Sequence, residues 1–289
     1  MVLRPIPMVG VVLAVRNEAE SLESVLAALN QQTLLPSVVV VVDDGSTDTT
    51  PQLLSRVAGA YGFELRVVRL PSHEARYNGR PELGGVINSG LSVVRAHHPP
   101  VAYVMKVDGD HILPRNYTES IVERMEANPR LAVASGHILG EQYTATSPRG
   151  TGMVVRAGFW NEADGMKFPL IYGWESWLNF KAMQMGYETR SFREVTSRVT
   201  RPTRKKGAAL GRTMYAIGFT WPAAVWSCLR IARRSLRTAL EVFYGYVDRR
   251  GVEKADISVW VGDLQKRNLL RRFAHPLRHK ADAPESVPP

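Results

Sequence analysis

The chain opens on blocks of apolar residues separated by polar turns. Val9 to Val15 (VGVVLAV) is a continuous, β-branched run that predicts a buried strand, and 21–32 carries Leu22, Val25, Leu26 and Leu29 at helical spacing. Next, 37–48 (SVVVVVDDGSTD) holds five consecutive valines, which suit a central strand of a parallel sheet covered on both faces, and stops in an acidic, Gly-containing turn. A helix through 50–62, a strand at 63–70, a helix at 84–98 and a strand at 101–108 continue the alternation. Strand and helix in turn predict an α/β, Rossmann-like fold: a mostly parallel sheet flanked by helices, with ligands beyond the carboxyl ends of the strands. Past residue 112 the pattern predicts a helix near 115–127, a strand at 131–136, a polar stretch to Gly152 and a helix near 174–185.

Composition narrows the partners. The 289 residues are 45% hydrophobic, enough for a sizeable core, and 37 Lys and Arg against 27 Asp and Glu give a net charge of +10. That balance suggests an anionic partner: substrate phosphates, nucleic acid or an anionic membrane. Cys228 is the one cysteine, which excludes an internal disulfide framework and suggests a reducing compartment. The first apolar run flows directly into Arg16-Asn17-Glu18-Ala19-Glu20 without a small-residue cleavage site, so it reads as a strand rather than a leader. No apolar run of 18 residues supports an ordinary membrane-spanning helix.

Three constellations carry chemistry. Asp108 and Asp110 flank Gly109 at the end of a predicted strand, and paired carboxylates suit Mg2+ or Mn2+ held together with substrate phosphates, although a solvated turn has the same string. At the end of the valine strand, Asp43 to Asp48 (DDGSTD) offers carboxylates for the N–H groups of a base or the hydroxyls of a ribose, while Ser46 or Asp48 also suits the cap of the next helix. Glu175, between Trp174 and Trp177 at a helix start, suits a partly desolvated general base, and equally a glutamate placed for the helix dipole.

Together R-N-E at 16–18, D-D-G-S-T-D at 43–48, D-G-D at 108–110 and W-E followed by Gly186 resemble the family-2 glycosyltransferases of GT-A fold. The resemblance implies a nucleotide-sugar donor, GDP- or UDP-hexose, with Asp44 reading the base and Glu18 beside it. Val15, Asn17 and Gly109 line the donor, and Asp108 and Asp110 hold Mn2+ or Mg2+ on the diphosphate. Glu175 falls on the family's base, with inversion at the anomeric carbon in a single displacement. One departure stands: Trp174-Glu175 occupies the place of a Glu-Asp pair.

The last third is basic and aromatic. Arg198, Arg201, Arg204, Lys205 and Lys206 form a cluster suited to the donor diphosphate or a lipid phosphate, or to a solvated linker. The apolar stretch 207–229 is interrupted by Arg212 and Pro222 and makes a poor span. Beyond Pro222, one basic amphipathic helix is predicted, with Arg230, Arg233, Arg234 and Arg237 on one face and Leu229, Leu236, Leu240, Phe243 and Val247 on the other. A second segment, 257–273, repeats the theme. The expected layout is a nucleotide-sugar-binding catalytic domain at 1–200, membrane-interface helices at 201–278 and a disordered tail at 279–289. This layout resembles a reduced cellulose-synthase-like arrangement and the archaeal membrane-associated mannosyltransferases of lipid-linked N-glycan assembly. That implies GDP-mannose as donor, a lipid-linked glycan or polyprenyl phosphate as acceptor, and residence on the cytoplasmic face of the cell membrane.

A polyprenyl-phosphate sugar synthase of the dolichol-phosphate-mannose type is the nearest alternative. Its acceptor is already ionised and needs no base, and its metal motif extends to a Gln where this chain has Ile112. A nucleic-acid-binding protein explains the charge but not two strand-end acidic clusters, which repel a phosphate backbone. A nucleotidyltransferase lacks its Gly-rich phosphate loop after the first strand.

Overall fold

The computed structural model describes residues 6–74, 80–201 and 207–274. The tail at 279–289, and Arg204, Lys205 and Lys206 of the basic cluster, lie outside the described residues. The chain divides into two compact units, Met1–Lys206 and Gly207–Pro289.

The first unit is built on β1 (Val9–Val15), β2 (Val38–Asp43), β3 (Glu64–Arg69) and β4 (Tyr103–Asp108), all parallel. Then β5 (His111–Ile112), β6 (Leu131–Ile138), β7 (Met153–Arg156) and β8 (Glu188–Val199) extend the sheet in the order β3-β2-β1-β4-β7-β6-β8-β5. Of these, β7 runs antiparallel to β4 and β6, β5 antiparallel to β8, and β8 parallel to β6. Its helices are α1 (Leu22–Asn30), α2 (Thr50–Arg56), α3 (Pro81–Arg95), α4 (Tyr117–Ala127), α5 (Ala157–Asp164) and α6 (Trp174–Gln184).

The valines of β2 are wholly buried because both faces are covered. Val9, Val11 and Leu13 of β1 and Tyr103, Met105 and Val107 of β4 share one core with Leu22, Leu26 and Leu29 of α1 and Ile121 and Met125 of α4. Each such side chain contributes about 1.5–3 kcal/mol by leaving water. Residues alternate across a strand, so Val104, Lys106 and Asp108 face the other side of the sheet. On either side of β1 the chain order departs in opposite directions, to β2 and to β4, which opens the crevice expected at the carboxyl ends of these strands.

The α/β expectation holds, but β5, β7, α5 and β8 are additions to it. The twelve residues of β8 (ETRSFREVTSRV) bury Thr189, Ser191 and Ser197 alongside Phe192 and Val195, so a hydrophobicity pattern passes over them. The helix expected at 50–62 stops at Arg56, and the one expected from Gly84 begins at Pro81, whose fixed φ suits a first helical turn.

The second unit holds α7 (Gly207–Ile217), α8 (Trp221–Ala232), α9 (Leu236–Val247) and α10 (Ser258–Ala274). Met214, Ala224, Cys228, Val242 and Tyr246 form its core. Here the sequence expectation is corrected: the amphipathic segment beyond Pro222 is two helices, not one. Ser235 breaks it, standing in extended conformation as the N-cap of α9 with its hydroxyl accepting from the Thr238 amide. Leu229, Leu236, Leu240, Phe243 and Val247 are nonetheless all exposed, with Trp221 and Trp226 about half exposed beside them. Among the described residues no helix is long and apolar enough to cross a membrane.

Candidate active site

Two loops at the ends of β1 and β2 are stitched together by backbone-to-side-chain hydrogen bonds. The Asn17 amide donates to Ser46 Oγ (3.0 Å), the Glu18 amide to Thr50 Oγ1 (2.9 Å) and the Ala19 amide to Asp48 Oδ2 (3.3 Å). Asn17 adopts a left-handed conformation (φ 54°), which asparagine tolerates, and its Oδ1 accepts from the Thr47 and Asp48 amides. Ser46 therefore holds the first loop rather than capping α2. Asp48 accepts from the Thr50 amide at 2.9 Å; burial opposes its charge, but the bonds from Thr50 and Ala19 hold its carboxyl below the usual range.

Asp44 lies 6% exposed, its amide bonded to the Val15 carbonyl at 2.9 Å. His73 Nε2 stands 3.0 Å from Asp44 Oδ1, and Arg16 stands 3.1 Å from His73 Nδ1. A guanidinium only donates, so Nδ1 accepts and the Nε2–H donates to Asp44. Asp44 and His73 border a recess of about 400 Å³, lined also by Leu70, Pro71, Ser72, Glu82 and Val86. Gly45 (φ 68°) shapes its wall, because a Cβ there would come within 2.6 Å of the Pro71 carbonyl.

The end of β4 carries the acid pair. The Asp108 amide donates to Thr151 Oγ1 (2.9 Å), which also contacts His111 Nδ1 (2.8 Å), and His111 Nε2 reaches Ser197 Oγ (2.8 Å). Burial pushes the His111 imidazole down to about 4. The Gly109 carbonyl accepts from Ser21 Oγ at 2.8 Å. Arg201 gathers the acids: its guanidinium lies 3.2 Å from Asp110 Oδ2 and also bonds Glu18 Oε1. Burial raises the Asp110 carboxyl, the Arg201 charge opposes this, and Asp108 and Glu18 add to the rise. The hydrogen bond that Arg201 donates to Glu18 raises the guanidinium in turn.

Glu175 reaches the same place through Lys106. The Lys106 ammonium is 2.7 Å from Asp108 Oδ1 and 2.8 Å from Glu175 Oε1, and lies 5.5 Å from the centre of the Trp174 ring. Burial opposes the ammonium, but the two carboxylates outweigh it and raise Lys106 above its ordinary value. The sequence places Glu175 beside two tryptophans as partly desolvated; in the structure its side chain is 26% exposed, Trp174 and Trp177 are buried, and Lys106 adds a countercharge.

The structure thus brings Val15, Asn17, Glu18, Asp108, Gly109, Asp110 and Arg201 to the ends of β1 and β4, sets Asp44 at the end of β2 and ties Glu175 to Asp108. Arg204 lies outside the described residues. Sequence reasoning missed Lys106, the Arg16–His73 support of Asp44, and Gly150, where a methyl group would overlap the Glu175 carboxylate. For Lys106 there was a signal: it is two residues before Asp108 on a strand, and so on the same face.

As to a metal, no group of three or more His, Cys, Asp or Glu forms a cage among the described residues. The oxygen donors of Asp108 and Asp110 do fit a hard divalent cation that takes its other ligands from phosphates and water. Asp108, with 47% of its side chain exposed, faces outward enough to supply one.

A model of glycosyl transferase family 2 matches residues 10–201. No curated protein is recognisably similar in sequence. Among solved structures, S. aureus TarS superposes with a TM-score of 0.51 at 18% identity, over 73% of this chain and 39% of TarS. S. aureus TarS 1-349 in complex with UDP-GlcNAc gives 0.52 at 18% identity, over 68% of this chain and 59% of that one. The mannosyltransferase PcManGT from Pyrobaculum calidifontis, in complex with GDP-Man and Mn2+, gives 0.56 at 16% identity, over 93% of this chain and 81% of that one. At such identities the likeness is one of fold, and the chain spans well under half of TarS.

Proposed function

Because the chain belongs to glycosyl transferase family 2, we propose that it transfers a hexose, with inversion, from a nucleotide sugar to an acceptor hydroxyl. The observation that carries this reading is the single ammonium of Lys106 shared by Asp108, at the donor end, and Glu175. Asp44, in its recess, takes the base. Asp108 and Asp110 would hold Mn2+ or Mg2+, which when bound would neutralise charge on the departing diphosphate. Arg201 adds a guanidinium beside that diphosphate. Glu175 accepts the proton of the acceptor hydroxyl as its oxygen bonds the anomeric carbon. The bond from that carbon to the diphosphate oxygen breaks, and its electron pair leaves with the nucleotide. One displacement inverts the centre, and no covalent enzyme intermediate forms.

GDP-mannose is the donor of choice here, in keeping with the resemblance on sequence motifs and with the GDP-Man complex of PcManGT. A hydroxyl of a lipid-linked glycan is the proposed acceptor, met at the cytoplasmic face of the cell membrane. Support comes from the exposed Leu229, Leu236, Leu240 and Phe243 with exposed Arg230, Arg233, Arg234 and Arg237, the composition of helices that lie in an interface. A thermal-shift panel of GDP- and UDP-sugars with Mn2+ tests the donor: a ligand at a hundred times its Kd stabilises the fold by about 2.7 kcal/mol. A shift with UDP-sugars alone redirects the donor, and no shift with any of them removes the reading.

A further inference from the structure

Lys106 is 4% exposed in the middle of a sheet, on the strand whose other face is all core. Burying an ammonium is costly unless it is paired, and a well-packed apolar side chain of similar volume at such a place is often as stable as the ion pair or more so. Stability alone therefore gives no reason for a lysine here. What the lysine supplies and methionine would not is a fixed link. One nitrogen accepts no bonds and donates three, and its partners are Asp108, Glu175 and the face of Trp174. Glu175 sits at the start of α6, seated where Gly150 has no side chain, so the ammonium holds it between a helix and a rigid strand.

We propose that Lys106 is a positioning residue, which sets Glu175 at a fixed reach from Asp108 and so aligns the acceptor hydroxyl with the bond to the departing nucleotide. The inference rests on Glu175 as the base. Without the ammonium, the two carboxylates repel and Glu175 swings away. Misplacement by about 1 Å is enough to cost about a hundredfold in turnover.

The test is a double-substitution cycle on the full chain with Lys106→Met, Glu175→Gln and both together, plus Lys106→Arg. Sugar release to water is measured with GDP-mannose or UDP-glucose and Mn2+, and melting temperatures are measured without metal. Lys106→Met is expected to lower kcat about a hundredfold while donor KM stays within about threefold, and Lys106→Arg to recover at least about tenfold of the loss. In the Glu175→Gln background, adding Lys106→Met is expected to change kcat by less than about threefold, because residues that act through one another do not add. Metal-free melting shifts are expected to be non-additive in the same way. Costs in kcat that multiply in the double variant overturn the proposal, as does a loss confined to KM. Additive melting shifts overturn it whether or not either donor is turned over. Full activity of Glu175→Gln overturns the base itself and Lys106's role with it, which distinguishes the two failures. If Lys106→Met does not fold, Lys106→Gln, which keeps N–H donors without the charge, takes its place in the same cycle with the same outcomes.

Discussion

Adding one methyl group at Gly150 probes the site without touching a charge. The Cβ of alanine would stand 2.1 Å from Oε1, 2.2 Å from Cδ and 2.4 Å from Oε2 of Glu175, and ordinary contact begins at 3.4 Å, so the carboxylate has to retreat by well over 1 Å. That retreat stretches the 2.8 Å bond from Lys106. Overpacking of this kind costs about 1–3 kcal/mol of stability. The effect on chemistry is larger, about a hundredfold in kcat, because a base must stand within hydrogen-bond reach of the proton it takes. Gly150→Ala is therefore expected to melt a few degrees lower, to bind GDP with Mn2+ as the wild type does in calorimetry, and to release sugar about a hundredfold more slowly. Gly150→Ser is expected to be worse. Turnover of Gly150→Ala within about threefold of the wild type would refute the reasoning, since the methyl and a productive Glu175 cannot share that space.

Asp110→Asn removes one of two carboxylates for the cation; turnover with Mn2+ is expected to fall at least about a hundredfold, and the Mn2+-dependent thermal shift with GDP to vanish, whereas a retained shift would move the metal elsewhere. Arg201→Met strips the cation from Glu18 and Asp110. Its side chain is 58% exposed, so stability is expected to change by less than about 1 kcal/mol, while donor KM rises about tenfold; a large melting shift with unchanged KM would contradict this. Leu240→Glu with Phe243→Glu places two charges on the exposed apolar face of α9, and co-sedimentation with phosphatidylcholine–phosphatidylserine vesicles is expected to be lost while the melting temperature holds. Undiminished sedimentation would assign that face to another partner.

Much of this site was legible because its residues stand where apolar runs stop. The valine run of β2 announces a strand with two covered faces, and Asp43 and Asp44 follow it directly; Val107 and Asp108 repeat the arrangement. Strand ends and acids coincide, so chemistry could be placed without knowing which strands pair. What escaped depends on tertiary contact. Lys106 reads as an interruption in an apolar strand until Glu175, from a helix much later in the chain, arrives as its partner. Likewise β8 hides because its inward positions include Thr189, Ser191 and Ser197, and no local pattern distinguishes a buried serine bonded to His111 from a solvated one. The break at Ser235 was readable in principle, since serine is a favoured N-cap, but the continuous arginine and leucine spacing on both sides of it masks the stop.

The sheet order also governs how the protein is made. β1 lies between β2 and β4, so β1 keeps an open edge until Asp108 has emerged. β4 then waits for Met153–Arg156 of β7. Pairings of such sequence separation are slow, and unpaired valine-rich edges invite aggregation in the interval. The strand that covers β1 is the one that delivers Asp108 and carries Lys106. Covering of the β1 edge and delivery of Asp108 are therefore one event, while the edge of β4 stays open until β7 arrives.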